Sequence, residues 1–200
     1  MIQSIVFDFG DIFINLDKQA TLNGLQKLGL QEWNAALDEF NEQFERGEIS
    51  RNAFLEGLQQ QLPNATQEQI LAAWNAVLLD FPQHRLTFLQ ELSKKYRLFL
   101  LSNTDSIHIS HFEEQNGKAF YEAFYNCFEK VYFSFEMGMR KPDSAIYQRV
   151  LDEQQLDHDT VLFVDDKKEN TDAAAKLGIK VWNLQVGQED VTELYEKCQL

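Results

Sequence analysis

The chain has 200 residues, 44% of them hydrophobic and 25% charged, enough for one domain core with a modest insertion and unlike either a disordered chain or a fibrous repeat. Its 18 Lys and Arg stand against 32 Asp and Glu, and the resulting formal charge of −14 repels nucleic-acid backbones and anionic membrane surfaces. The two cysteines, Cys127 and Cys198, support neither a disulfide framework nor a thiolate metal site and read as free thiols in a reducing compartment.

The opening MIQSIVFDFGD has no basic leader, and Asp8 interrupts its apolar run, so it does not read as a secretion signal. No stretch approaches the ~20 apolar residues that span a bilayer. The expectation is a cytoplasmic protein without nucleic-acid or membrane partners.

Residues 2–7 (IQSIVF) form a short, β-branched apolar run that stops at Asp8-Phe9-Gly10-Asp11, the pattern of a buried strand feeding a tight loop. Four helical periodicities follow. They run through Leu22, Leu25 and Leu28; Trp33, Leu37, Phe40 and Phe44; Phe54, Leu55, Leu58 and Leu62; and Ile70, Trp74 and Val77. Breaks fall at Gly29, Arg46-Gly47, Pro63-Asn64 and Phe81-Pro82. The spacing predicts a helical bundle over 17–81, inserted into a core formed by 1–16 and 82–200. Beyond Pro82, strands are predicted at 97–101 (RLFLL), 131–135 (VYFSF), 161–164 (VLFV) and 180–184 (KVWNL), with helices over 143–154 and 168–177. Strands alternating with helices imply an α/β fold with a Rossmann-like parallel sheet, because parallel strands need crossover connections.

Ligands of such sheets bind at the carboxyl ends of the strands. Reactive side chains stand at those ends here: Asp8 after the first strand, Ser102-Asn103-Thr104 after the second, Lys141 in the loop after the third, and Asp165-Asp166 after the fourth. If Asp8, Asp165 and Asp166 converge, they repel one another unless a cation neutralises them. All-oxygen ligation shared with a phosphate suits Mg²⁺. One carboxylate is then free to attack phosphorus, with Lys141 balancing charge and Ser102 and nearby backbone N–H groups cradling the phosphoryl group. Each residue alone has a bland reading: a helix cap, a turn or a solvated charge. Their joint order is the signal.

That order, VFDFGD, LLSNTD, GMRKPD and FVDDKKEN, resembles the haloacid dehalogenase-like phosphohydrolase superfamily over almost the whole chain. The resemblance implies Asp8 as nucleophile and metal ligand, Gly10 as a ligand through its carbonyl, and Ser102 and Asn103 as phosphate binders. It further implies catalytic and phosphate-binding roles for Lys141, Asp166 as a direct metal ligand, Asp165 acting through water, and Asn170 fixing the fourth loop. The helical insertion lies where this superfamily carries a cap. ERGEIS at 45–50, LSNT at 101–104, GMRKP at 138–142 and IYQ at 146–148 are similar to the phosphatases acting on α-glucose 1-phosphate and to the phosphatase domain of soluble epoxide hydrolases. The implied activity is Mg²⁺-dependent hydrolysis of a small phosphorylated metabolite, a sugar phosphate, through an aspartyl-phosphate.

Most such phosphatases have an acid–base Asp two residues after the nucleophile, where this chain has Gly10. Asp11 could take the role only if a turn reorients it, since neighbouring side chains in an extended segment point opposite ways. Gly10 also leaves open a phosphate-binding or regulatory protein without turnover, whereas a carbon–halogen hydrolase on the same fold does not need the metal-binding carboxylates. His108 and His111 read as one face of a polar surface helix rather than a metal site. Arg46 reads as a substrate contact when the cap closes, together with Glu48, against the alternative of a solvated turn between helices.

Overall fold

The computed structural model describes residues 1–200. Five parallel strands form one sheet in the order β3-β2-β1-β4-β5: β1 (Ser4–Phe7), β2 (Arg97–Ser102), β3 (Lys130–Phe133), β4 (Val161–Asp165) and β5 (Lys180–Asn183). The central strands are buried on both sides, so they read as unbroken apolar runs. Ser4 is level with Arg97 of β2 and Val161 of β4. That register brings Asp8, Ser102 and Asp165 to one edge of the sheet, at three neighbouring strand ends.

Between β1 and β2 come α1 (Ala20–Lys27), α2 (Ala35–Glu45), α3 (Arg51–Gln61), α4 (Gln67–Asn75) and α5 (Gln83–Leu92). Next are α6 (Ser106–Asn116), α7 (Lys118–Tyr125), α8 (Ser134–Met137), α9 (Ser144–Gln154), α10 (Lys168–Ala175) and α11 (Leu194–Cys198). Side-chain alternation along the strands sorts two cores. Ile5, Phe7, Leu98 and Leu100 pack with Leu89 of α5, Phe112 of α6 and Phe124 of α7, while Val6, Phe99 and Phe163 pack with Ile146, Tyr147 and Val150 of α9.

The four helices α1–α4 enclose a third cluster around Leu25, Phe44, Phe54, Leu58, Ile70 and Trp74, joined by Ile107 of α6. Their starts are set locally: Asn34 accepts from the N–H groups of Ala36 and Leu37, Ser50 from Ala53, and Thr66 forms a capping box with Gln69. The segments entering and leaving this bundle run antiparallel. Leu79 N–H donates to the Asn15 carbonyl, Asn15 N–H to Asp80, and Asp17 N–H to Val77, each at 2.9 Å.

Strand β3 ends at Phe133, short of the expected 135. The Ser134 hydroxyl is buried and exchanges two 3.0 Å hydrogen bonds with the Thr104 backbone, so the chain turns into α8 to follow the loop after β2. Helices α5 and α7 carry no expectation from the sequence, and α6, expected as a polar surface helix through His108 and His111, buries Ile107, Ile109 and Phe112. They cover the sheet face that Phe112 and Phe124 fill.

At Gly47 the insertion meets the core: a Cβ there lies 2.1 Å from the Phe135 carbonyl oxygen, and the residue has a φ of +67°. Gly47→Ala therefore combines left-handed strain with a forced separation. The expected cost is about 2–3 kcal/mol. Urea unfolding checks this, and an unchanged midpoint contradicts the close approach.

Candidate active site

The Lys141 side chain is 1% exposed. Its ammonium contacts Asp8 Oδ1 at 2.8 Å, Asp165 Oδ2 at 2.7 Å and the Leu101 carbonyl at 2.8 Å. An ammonium has three donors, and three acceptors from β1, β2 and β4 use them all. Asn103 clamps the Lys141 backbone from both sides: Lys141 N–H donates to Oδ1 and Asn103 Nδ2 donates to the Lys141 carbonyl, each at 2.8 Å. The amide that the sequence suggested for phosphate is thus engaged in positioning the lysine.

Asp165 is fully buried, and its remaining acceptor sites take the Lys167 N–H at 2.8 Å and Asn170 Nδ2 at 3.0 Å. It faces protein donors on all sides. Asp166, one residue on, reaches a cavity of about 370 Å³ that Asp8, Gly10, Ser102, Asn103 and Lys141 also line. Carboxylate oxygens of Asp8, Asp165 and Asp166 lie within 4.8 Å of one another. This all-oxygen set fits a hard divalent cation, and Lys18 answers the same demand for positive charge by contacting Asp166 at 2.7 Å and Asp11 at 2.8 Å.

Burial raises the Asp8 carboxyl to about 6, with the Asp165 and Asp166 charges adding to the rise and Lys141 opposing it. For Lys141, burial disfavours the charge, but Asp165 and Asp8 outweigh it and hold the ammonium above the ordinary lysine range. Lys18 is likewise raised despite its partial burial, by hydrogen bonds to Asp11 and Asp166.

Asp11 does adopt a turn conformation, with φ of +57°, but its carboxylate accepts from Leu16 N–H at 3.1 Å and pairs with Lys18, and, unlike those two residues, Asp11 does not line the cavity. It holds the loop. At Gly10 a Cβ lies 2.7 Å from Leu16 Cδ1, so an apolar side chain occupies the space beside the usual acid position.

The helical insertion contributes differently from expectation. Arg46 is tied to Glu39, Glu42 and Glu48 at 2.8–3.1 Å and does not line the cavity; Glu48 is one of its partners. Asn41 and Glu45, one turn apart on α2, line it instead. His108 is no surface residue: it stacks on Trp74 with centroids 5.3 Å apart, and its Nδ1 and Nε2 meet Asp105 Oδ2 at 2.9 Å and the Trp74 carbonyl at 3.1 Å. His111 is half-buried and forms no metal cluster with it. A second groove of about 800 Å³, lined by Met1, Lys95, Lys180 and Cys198 among others, carries no acidic side chain. The chemistry lies at the strand ends.

A parallel sheet with an oxygen-rich cavity at its carboxyl edge is an open α/β fold whose candidate site lies where such sheets bind ligands. The profile of the haloacid dehalogenase-like hydrolases matches residues 5–184, and the chain belongs to that family. It is 26% identical to a D-ribitol-5-phosphate phosphatase of Bacteroides thetaiotaomicron, over 97% of both chains. It is 27% identical to a sesquiterpene phosphatase of Aspergillus oryzae, over 88% of this chain and 87% of that one. Among solved structures, a family enzyme of Bacteroides thetaiotaomicron in complex with magnesium and inorganic phosphate superposes with a TM-score of 0.85 and 32% identity, covering 98% of this chain and 100% of that one.

Both His108 nitrogens face acceptors, so only the imidazolium satisfies both. Burial opposes that charge, yet Asp105 and the Trp74 carbonyl raise the His108 pKa above its ordinary 6.5. Burial also opposes the Asp105 charge, and His108 and Trp74 nonetheless lower the carboxyl below its ordinary 3.8. The raised histidine stabilises the fold fully below pH 6.5 and loses that effect as pH rises through its folded value. The lowered aspartate stabilises it above pH 3.8 and loses that effect as pH falls through its own folded value. His108→Ala is therefore expected to cost about 2–3 kcal/mol between those limits and progressively less in alkali. Melting temperatures of both proteins across pH check this, and a pH-independent difference contradicts the ion pair.

Proposed function

We propose that this hydrolase is a Mg²⁺-dependent phosphatase of a small sugar or polyol phosphate, acting through an aspartyl-phosphate on Asp8. The observation that carries the reading is the Asp8 carboxylate at the floor of the cavity, with one oxygen held by the buried Lys141 ammonium. Fixing one oxygen directs the other towards the substrate and holds the nucleophile for in-line approach.

Asp8, Asp166 and the Gly10 carbonyl are the proposed metal ligands, and Asp165 supports them by orienting Lys141. When bound, Mg²⁺ supplies positive charge to the phosphoryl oxygens and to the crowded carboxylates. Asp8 attacks phosphorus, and the bond from phosphorus to the leaving oxygen breaks. Ser102 and the backbone N–H groups after β2 hold the equatorial oxygens, and Lys141 balances their charge. Water then attacks the same phosphorus, releasing inorganic phosphate and restoring the carboxylate. With Leu16 beside Gly10, the leaving oxygen takes its proton without help from position 10. Similarity over nearly full length to the ribitol-phosphate phosphatase supports the polyol class.

Asp8→Asn should reduce release of phosphate from p-nitrophenyl phosphate by at least about 10³-fold without unfolding the protein, since the amide is near-isosteric but not nucleophilic. A chelator should stop the wild-type reaction, and Mg²⁺ should restore it better than Ca²⁺. Turnover by the variant within tenfold of wild type, or unchanged rates in chelator, contradicts the proposal.

A further inference from the structure

Lys18 reaches the carboxylate cluster from the chain that enters the insertion. Its side chain is 50% exposed, yet the ammonium turns inward to two carboxylates that are only 4% and 6% exposed, Asp11 at 2.8 Å and Asp166 at 2.7 Å. Holding a long lysine side chain in one geometry costs rotamer freedom, so the contact calls for a use. Its two ends are fixed by other bonds. At the base, Asp17 N–H donates to the Val77 carbonyl at 2.9 Å and Gln19 N–H to the Asp17 carboxylate at 3.0 Å. At the far end, Asp11 accepts from the Leu16 N–H at 3.1 Å, and Asn183 Nδ2 donates to the Asp166 carbonyl at 2.8 Å.

The contact falls on one oxygen of Asp166. Oδ2 takes the ammonium, while Oδ1 accepts no hydrogen bond, and Asp166 lines the cavity. Lys141 holds Asp8 in the same manner, through Oδ1 alone. We propose that Lys18 is a positioning residue for the metal site: by taking one oxygen of Asp166 it fixes the rotation of that carboxylate and presents the other oxygen to a divalent cation. The inference rests on the metal ligands of the phosphatase reading above, and it gives the chain entering the insertion a part in that site. A ligating carboxylate is oriented by its own hydrogen-bond donors, and loss of such a donor typically costs roughly 10–100-fold in metal affinity. A lysine that only neutralised Asp166 would act with the opposite sign. Its charge would repel the ion, and removing it would tighten metal binding.

The test titrates Mg²⁺ by calorimetry into substrate-free wild type, Lys18→Met, Lys18→Gln, Lys18→Arg and Asp166→Asn, with circular dichroism to establish that each is folded. Lys18→Met should raise the Kd for Mg²⁺ about tenfold, and Lys18→Arg, which keeps a charged donor, should stay within about threefold of wild type. Lys18→Gln keeps a neutral donor and should fall between them. In turnover of p-nitrophenyl phosphate, the deficit of Lys18→Met should disappear as Mg²⁺ is raised to saturation, because Lys18 touches no reacting atom. A Kd that is unchanged or lowered in both Lys18→Met and Lys18→Gln, or a loss of kcat that persists at saturating Mg²⁺, overturns the role of Lys18 and leaves the phosphatase reading standing. Wild type without saturable Mg²⁺ binding, or full affinity in Asp166→Asn, overturns the metal ligands of that reading and this role with them.

Discussion

A buried ammonium with three protein acceptors holds the carboxyl edge of the sheet together. Lys141 joins Asp8 after β1, Leu101 in β2 and Asp165 in β4, and no solvent shares the load. A lysine so enclosed is stable only because its partners replace its hydration, and removing it leaves two buried carboxylates facing one another. The surrounding contacts serve this arrangement. Asn103 fixes the lysine's backbone, Asn170 and the Lys167 N–H hold Asp165 in place, and Asn183 at the end of β5 donates to the carbonyls of Asp165 and Asp166. The geometry of Asp8 is therefore a property of four strands, not of one loop.

The insertion is coupled to that edge at separate points. Arg140 binds Glu42 and Glu45 on α2, the His108 ring joins α6 to the end of α4, and Gly47 touches the Phe135 backbone in α8. Lys18 leads into the insertion and pairs with Asp166. Because the antiparallel segments at 15–17 and 77–80 are the covalent connection, opening the cavity means bending there and breaking the side-chain contacts. No helix is long and apolar enough to cross a membrane.

The five strands and the residues at their ends were legible because a buried parallel strand is an apolar run, and the polar side chains just past several such runs occur together in one order although each alone has an ordinary structural use. Asp8, Ser102, Lys141 and the Asp165-Asp166 pair were read that way. The roles within the set were less legible: Asn103 and Asp165 turn inward to hold Lys141, which depends on loop geometry and not on residue type. Lys18, Asn41 and Glu45 carry no local signal, since they meet the site only after the insertion folds back over the sheet. Arg46 follows Glu45 by one position, yet a step of 100° around a helix moves it from the cavity to a cluster of glutamates. His108 looked solvent-facing because its partners, Trp74 and Asp105, come from another helix and from a cap.

The central claim is that the oxygen of Asp8 opposite its Lys141 contact forms the covalent bond to phosphorus. Acid-quenching the enzyme during turnover, reducing it with borohydride and mapping the peptides by mass spectrometry tests this directly, since reduction converts an aspartyl-phosphate to homoserine. The account predicts homoserine at position 8, dependent on Mg²⁺ and on substrate. Modification at Asp11 or Asp166 instead, or phosphate release with no trapped carboxylate at all, contradicts it.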